Sequence, residues 1–171
     1  MRKLLILGAG GFGKTVADIA RQLEIYDKIA FLDDGKSGPE ILGKCEEYPM
    51  FCDKETEVYP AFGDNTVRMH WLDRLVREEL PVATLVHPSA YVSPTAVLEP
   101  GVAVLPKAVV NTGCHVEAGC IVNIGALLDH DCVLEEGVHL CPGTIVKALN
   151  RIPAGTKLDS GTVVFNGTYP L

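Results

Sequence analysis

Three observations predict an α/β protein in two parts. A glycine-rich turn follows a short apolar strand and opens a helix, and a Val, Leu or Ile stands at every sixth position from Val86 to Val164. The chain is also 47% hydrophobic but only 6% aromatic, with 17 glycines in 171 residues. The first observation marks a small Rossmann-like parallel βαβ domain over residues 1–85. The other two mark a parallel β-helix of hexapeptide repeats over residues 86–171, whose narrow interior takes aliphatic side chains and no rings. So large an apolar share excludes a disordered chain.

In the first part, Lys3–Leu7 reads as an apolar strand, and GAGGFGKT leads into a helix that keeps Val16, Ile19, Ala20 and Leu23 on one face. Ile29–Leu32 is a second strand ending in Asp33 and Asp34, and Val58–Phe62 a third. Asp64 or Asn65 is placed to cap a second helix carrying Met69, Leu72, Leu75, Val76 and Leu80, which Pro81 stops. Residues 35–57, rich in Gly, Pro and acid, read as surface loop with at most a strand edge.

From Val86 onward every sixth residue is aliphatic, and a small residue stands two positions before most of these, Cys114, Cys120, Cys132 and Thr144 among them. Asn150 is the one poor fit to that slot. Residues two apart share a face of a strand, so both series point inward. Glycine follows three positions after most aliphatic residues, where a tight corner needs positive φ. Three hexads close a coil of about 18 residues, so the segment holds a little over four coils. The three inward cysteines are therefore core filler rather than metal or redox groups. Six cysteines without a CxxC pair, in a chain lacking a secretion signal, fit reduced thiols in the cytoplasm.

A net charge of −7 with 15 scattered basic residues excludes a nucleic-acid partner and leaves small molecules. No apolar stretch of about 18 residues is present to span a bilayer. The segment Gly8–Thr15 satisfies both GxGxxG and GxxxxGK[ST], and both patterns place backbone N–H groups and a helix N-terminus against a phosphate or pyrophosphate. Asp33 and Asp34 follow about 20 residues later, where a carboxylate meets a ribose in dinucleotide folds. The second half of an NAD site and the larger sheet of an ATPase are absent, which favours another nucleotide-linked ligand; the alternative is a tight turn beside a solvated acidic loop.

His130 lies at a β-helix corner between Asp129 and Asp131, and Asp131 takes the position where most hexads carry Gly. An imidazole oriented by a carboxylate suits proton removal from an amine or hydroxyl; the alternative is a solvated surface histidine. His139 sits beside an outward edge, His115 and His87 read as surface or corner residues, and His70 has no assignment. The histidine spacings do not give the pair about five residues apart that a γ-class carbonic anhydrase needs, so no metal is expected.

The runs GAGGFGK, FLDD, GDN, LVHPSA and NIGALLDHDCVLEEGVHLCPG together resemble the sialic-acid O-acetyltransferase and nucleotide-amino-sugar N-acetyltransferase family of left-handed β-helix proteins. The resemblance covers residues 1–143. It implies an acetyl-CoA-dependent acetyltransferase of polysaccharide biosynthesis acting on an amino or hydroxyl group of a sugar. It further implies a homotrimer with acetyl-CoA between neighbouring β-helices, and a UDP-sugar held by the first domain. By resemblance His130 is the general base and Asp131 supports it. His139 lies near the CoA thioester, a backbone amide near Gly143 binds the thioester carbonyl, and Asn123 and Gly125 complete the acetyl-CoA set. Gly10, Gly11, Phe12, Asp33 and Asp34 match sugar-nucleotide positions, with Phe12 standing where the family usually has His. The competing reading is a non-catalytic sugar-nucleotide-binding protein with an incomplete CoA groove, because TIVKALNRIPAGTKL follows CPG where relatives run through further coils.

Overall fold

The computed structural model describes all 171 residues, in two compact units, Met1–Ala83 and Thr84–Leu171. The first unit is a four-stranded parallel sheet of β1 (Lys3–Leu7), β2 (Lys28–Leu32), β3 (Ile41–Gly43) and β4 (Thr56–Pro60), in the order β3-β2-β1-β4. Four of the five β1 residues are buried, as a central parallel strand requires. The helix α1 (Gly11–Leu23) buries Val16, Ala17, Ile19 and Ala20. The third expected strand starts and ends two residues earlier than its apolar run, because Thr56–Pro60 pairs in register with Lys3–Leu7.

The helix α2 spans Asn65–Arg77, and Asp64 caps it by accepting from the Val67 N–H at 2.9 Å. Its buried face is Arg68, Trp71, Leu72 and Leu75. Val76, expected on that face, is exposed, since it lies about 100° round from Leu75. Arg68 is fully buried and donates to the Phe62 carbonyl at 3.0 Å and to Asn65 Oδ1 at 2.8 Å, tying down the turn before the helix. Residues 35–57 are more than loop. They contain β3 and a 3₁₀ helix, Cys45–Met50, in which Cys45 and Tyr48 are buried three residues apart, the spacing that eclipses side chains in this helix. Tyr48 meets Trp71 edge-on at 6.1 Å.

The second unit holds fourteen two-residue parallel strands in three stacks. The first sheet contains Leu85–Val86, Ala103–Val104, Ile121–Val122, His139–Leu140 and Lys157–Leu158. The second contains Tyr91–Val92, Val109–Val110, Leu127–Leu128, Ile145–Val146 and Val163–Val164. The third contains Val97–Leu98, His115–Val116, Val133–Leu134 and Arg151–Ile152. Partners are one coil apart, as in His115 with Val133, and the second residue of each strand packs into one continuous core. Asp131 takes the glycine role with φ +55°, as do Lys107 and Leu149 at two other corners.

The small inward slot is not simply small. Cys120 Sγ donates to the Glu135 carbonyl at 3.1 Å, Cys132 Sγ to that of Lys147 at 3.2 Å, Thr144 Oγ1 to that of Asp159 at 3.3 Å and Asn150 Nδ2 to that of Phe165 at 3.1 Å, each fifteen residues ahead. Cys114 donates likewise to the Asp129 carbonyl. Asn150, fully buried, therefore fits the slot as a donor, and its Oδ1 accepts from the Tyr169 N–H at 2.9 Å where the C-terminal segment returns.

Candidate active site

The corner Asp129–Cys132 joins the second sheet to the third. His130 and Asp131 are both half-exposed there, and Nδ1 of His130 donates to Asp131 Oδ2 at 2.8 Å. With the proton on Nδ1, Nε2 carries the lone pair that a base needs. The corner is tied to the coils on either side. The His130 N–H donates to Asp129 Oδ1 at 2.8 Å, and the same oxygen accepts from Asn111 Nδ2 at 3.2 Å. Asp131 N donates to the Thr112 carbonyl at 2.9 Å, and Leu149 N to the His130 carbonyl at 3.3 Å. The bond to Asp131, aided by the charge of Asp129, holds the His130 imidazole above its ordinary pKa.

A second histidine–carboxylate pair was not anticipated: His115 Nε2 lies 2.7 Å from Glu99 Oε1. The other oxygen of Glu99 accepts from the Ala118 N–H, so that carboxylate also closes a corner. His87 lies at the corner after Leu85–Val86 and is buried there, and its Nδ1 accepts from the Ser89 N–H at 3.0 Å.

The expected acetyl-CoA residues form a separate group on the first sheet and the corner that follows it. Asn123 Nδ2 donates to His139 Nε2 at 3.0 Å, and His139 is buried. Gly125 and Gly143 stack one coil apart at that corner. The Gly143 N–H donates to the Ile124 carbonyl at 2.9 Å and that of Gly125 to Pro106 at 3.0 Å. Both amides thus join adjacent coils. Between this corner and the His130 corner lies the second sheet, whose outward residues Tyr91, Val109, Leu127, Ile145 and Val163 are all apolar. A depression of about 260 Å³ on it is floored by Val109, Leu127 and Ile145 and edged by Asn111, Asp129 and Lys147.

In the first unit a cavity of about 690 Å³ is lined by Ala9, Lys14, Phe31, Lys36, Ser37 and Ile41, among others. Gly10 precedes α1 without a side-chain cap, and space beside Gly10 and Gly11 is open. Phe12 packs its ring edge-on to Tyr59 at 6.4 Å. Asp33 is committed at both oxygens, accepting from Ala9 N at 2.7 Å and Gly35 N at 3.0 Å. Burial works to raise its pKa, but the N–H groups of Ala9, Gly35 and Lys36 outweigh that and hold it below the ordinary value. Asp34 accepts from Cys45 N at 3.0 Å. Asp33 thus fixes the turn at Ala9, which lines the cavity, while Asp34 holds the start of the 3₁₀ helix. Lys14, Arg21 and Lys36 bring positive charge to it, Arg21 being paired with Asp18 and Glu40, which also line it; the sequence signalled Lys14 through the GK pair after the glycines, but not Arg21 or Lys36. No three His, Cys, Asp or Glu side chains converge as a metal site, and no helix is long and apolar enough to cross a membrane.

The PglD N-terminal domain family matches residues 3–75. The acetyltransferase domain of PglB from Neisseria gonorrhoeae FA1090 is 34% identical, with TM-score 0.93 over 95% of this chain and 82% of that one. The same domain solved in complex with acetyl coenzyme A matches equally, over 81% of its chain. A histidine-to-asparagine mutant of perosamine N-acetyltransferase from Caulobacter crescentus, in complex with CoA and GDP-perosamine, is 25% identical with TM-score 0.74, over 95% of this chain and 91% of that one. Likeness of that extent runs through both units: the chain belongs to the family of the PglB acetyltransferase domain, sugar acetyltransferases that use acetyl-CoA and are built on a left-handed β-helix, with a PglD-type N-terminal domain.

Proposed function

We propose that the protein transfers the acetyl group of acetyl-CoA to the amino group of a nucleotide-linked amino sugar, with His130 as general base. The observation that carries this is the 2.8 Å bond from His130 Nδ1 to Asp131, which leaves Nε2 ready to accept a proton at an exposed corner. The acceptor nitrogen attacks the thioester carbonyl while Nε2 takes its proton. Collapse of the tetrahedral intermediate then breaks the C–S bond and returns that proton to the departing CoA thiolate. Asp131 holds the ring and stabilises the imidazolium in between. An amine acceptor, rather than a hydroxyl, is supported by the likeness to perosamine N-acetyltransferase with its GDP-linked sugar.

The first unit holds the nucleotide, its phosphates against the uncapped start of α1 with Lys14 and Lys36 beside them. A uridine nucleotide follows from the family resemblance. The working form is a homotrimer in which copies meet over the apolar second sheet, so that His130 of one copy completes a site with Asn123 and His139 of its neighbour. The exposure of Tyr91, Leu127 and Val163 supports that interface.

The test is release of free thiol from acetyl-CoA with UDP- and GDP-linked amino sugars, for the wild type and His130→Ala. The expected loss on substitution is about 10²–10⁴-fold in turnover. A folded His130→Ala protein with wild-type turnover refutes the base assignment, and nucleotide-sugar binding without any thiol release would return the non-catalytic reading.

A further inference from the structure

We propose that Gly113 is a positioning residue: the absence of a side chain there is what lets Asp131 hold His130. The proposal rests on His130 being the base. Gly113 and Asp131 occupy the same corner one coil apart, both with left-handed backbone, φ +69° and +55°. To accept from His130 Nδ1, the Asp131 carboxylate lies back over Gly113; a Cβ on Gly113 would overlap its Oδ1 and stand 3.4 Å from its Cγ.

Neither backbone can yield easily. Asp131 N is bonded to the Thr112 carbonyl at 2.9 Å and Gly113 N to Thr95 Oγ1 at 3.1 Å. The soft coordinate is rotation of the Asp131 side chain, and that rotation breaks the bond to His130. Left-handed φ alone does not explain the need for glycine here. Gly155 has φ +68° and nothing within 4 Å of the position its Cβ would take. The same substitution at Gly113 and Gly155 therefore carries equal backbone strain and differs in one contact.

The experiment titrates the His130 ring by proton NMR in the full-length protein and measures kcat/KM across pH. The proteins are wild type, Gly113→Ala, Gly113→Asn, Asp131→Ala, Gly155→Ala and Gly155→Asn; Asn tolerates left-handed backbone and guards against misfolding of the Ala variant. The charged and titratable groups around His130 are Asp131, Asp129 and the Cys132 thiol, and only the first should be displaced. Both Gly113 variants should lower the His130 titration to that of Asp131→Ala and reduce kcat/KM by the same factor, about tenfold. Adding Gly113→Ala to Asp131→Ala should cost nothing more, and the Gly155 variants should match wild type. A folded Gly113 variant in which His130 titrates as in wild type overturns the proposal, whatever its melting temperature. Wild-type turnover in His130→Ala, with the Gly113 effect on titration intact, would instead remove the base assignment and leave the contact standing.

Discussion

Asn123 donates its side-chain amide to Nε2 of His139 at 3.0 Å, and its orientation is fixed because its own Oδ1 accepts from the Ile124 N–H at 2.8 Å. An N–H donor needs a lone pair on the imidazole, so this bond is made by the His139 tautomer whose Nε2 carries no proton. In ¹⁵N spectra, Nε2 of His139 should be unprotonated in the wild type and protonated in Asn123→Asp, which offers only acceptors. Asn123→Ala removes one hydrogen bond from the acetyl-CoA side of the proposed site and should raise the acetyl-CoA KM by about tenfold with a smaller change in kcat. An unchanged KM would detach this pair from the donor substrate.

The raised pKa of His130 fixes the direction of the pH dependence. The bond to Asp131 and the charge of Asp129 keep the imidazole protonated to higher pH than the ordinary value of 6.5, whereas a base must be neutral. The acid limb of kcat/KM should lie above pH 6.5, and Asp131→Asn should move it to lower pH while lowering the plateau. For stability the sign is opposite: the charged pair contributes fully below 6.5 and its contribution fades as pH rises through the raised value. Both side chains are half-exposed, so solvent screening keeps that effect small in a melting experiment.

The two histidine groups stand on opposite edges of the apolar second sheet, and this makes the proposed shared site testable without a structure of the assembly. His130→Ala and His139→Ala should each lose activity alone. Co-refolded one to one, they should recover about a quarter of wild-type activity, the frequency at which random mixing places two intact halves across one interface. Sites built within single copies would recover nothing on mixing.

What could be read in the sequence follows from which interactions are periodic. The six-residue spacing exposes the coils, the inward series and the left-handed corner at Asp131, because each hexad repeats the same local geometry. Donation from the inward slot was hidden, since the acceptor of Cys120 or Asn150 lies fifteen residues ahead and is brought near only by coil stacking. For that reason Asn150 looked like a flaw in an apolar series and is instead its most fully bonded member. The Glu99–His115 pair was missed for the same reason, being 16 residues apart in sequence. In the first unit Tyr48 was invisible because it sits in a polar stretch and is buried against Trp71 of another element, and Arg68 because a charged residue on a helix reads as solvated until the Phe62 carbonyl and Asn65 satisfy its guanidinium. The acids Asp33 and Asp34 stand at the end of β2 as the sequence places them, but their oxygens go to backbone N–H groups, Asp33 to Ala9 and Gly35 and Asp34 to Cys45.

The glycine loop offers a last separation between scaffold and site. A Cβ on Gly13 would overlap the backbone carbonyl of Gly8, itself at φ +96°, and no side-chain rotation can relieve a clash between two backbones. Gly13→Ala should therefore destabilise the first unit by about 3 kcal/mol or more. Gly10 and Gly11 have open space beside them, and Gly10 has ordinary extended backbone at φ −70°. Ala at either position should leave stability within about 1 kcal/mol. The added methyl would stand over the N–H groups at the start of α1, where the phosphates are proposed to lie, and should weaken nucleotide-sugar binding by about tenfold or more. Thermal melts and calorimetric titration with a UDP-linked sugar measure the two effects. If Gly10→Ala and Gly11→Ala bind as the wild type does, the phosphates lie elsewhere and the openness of the loop serves the turn alone.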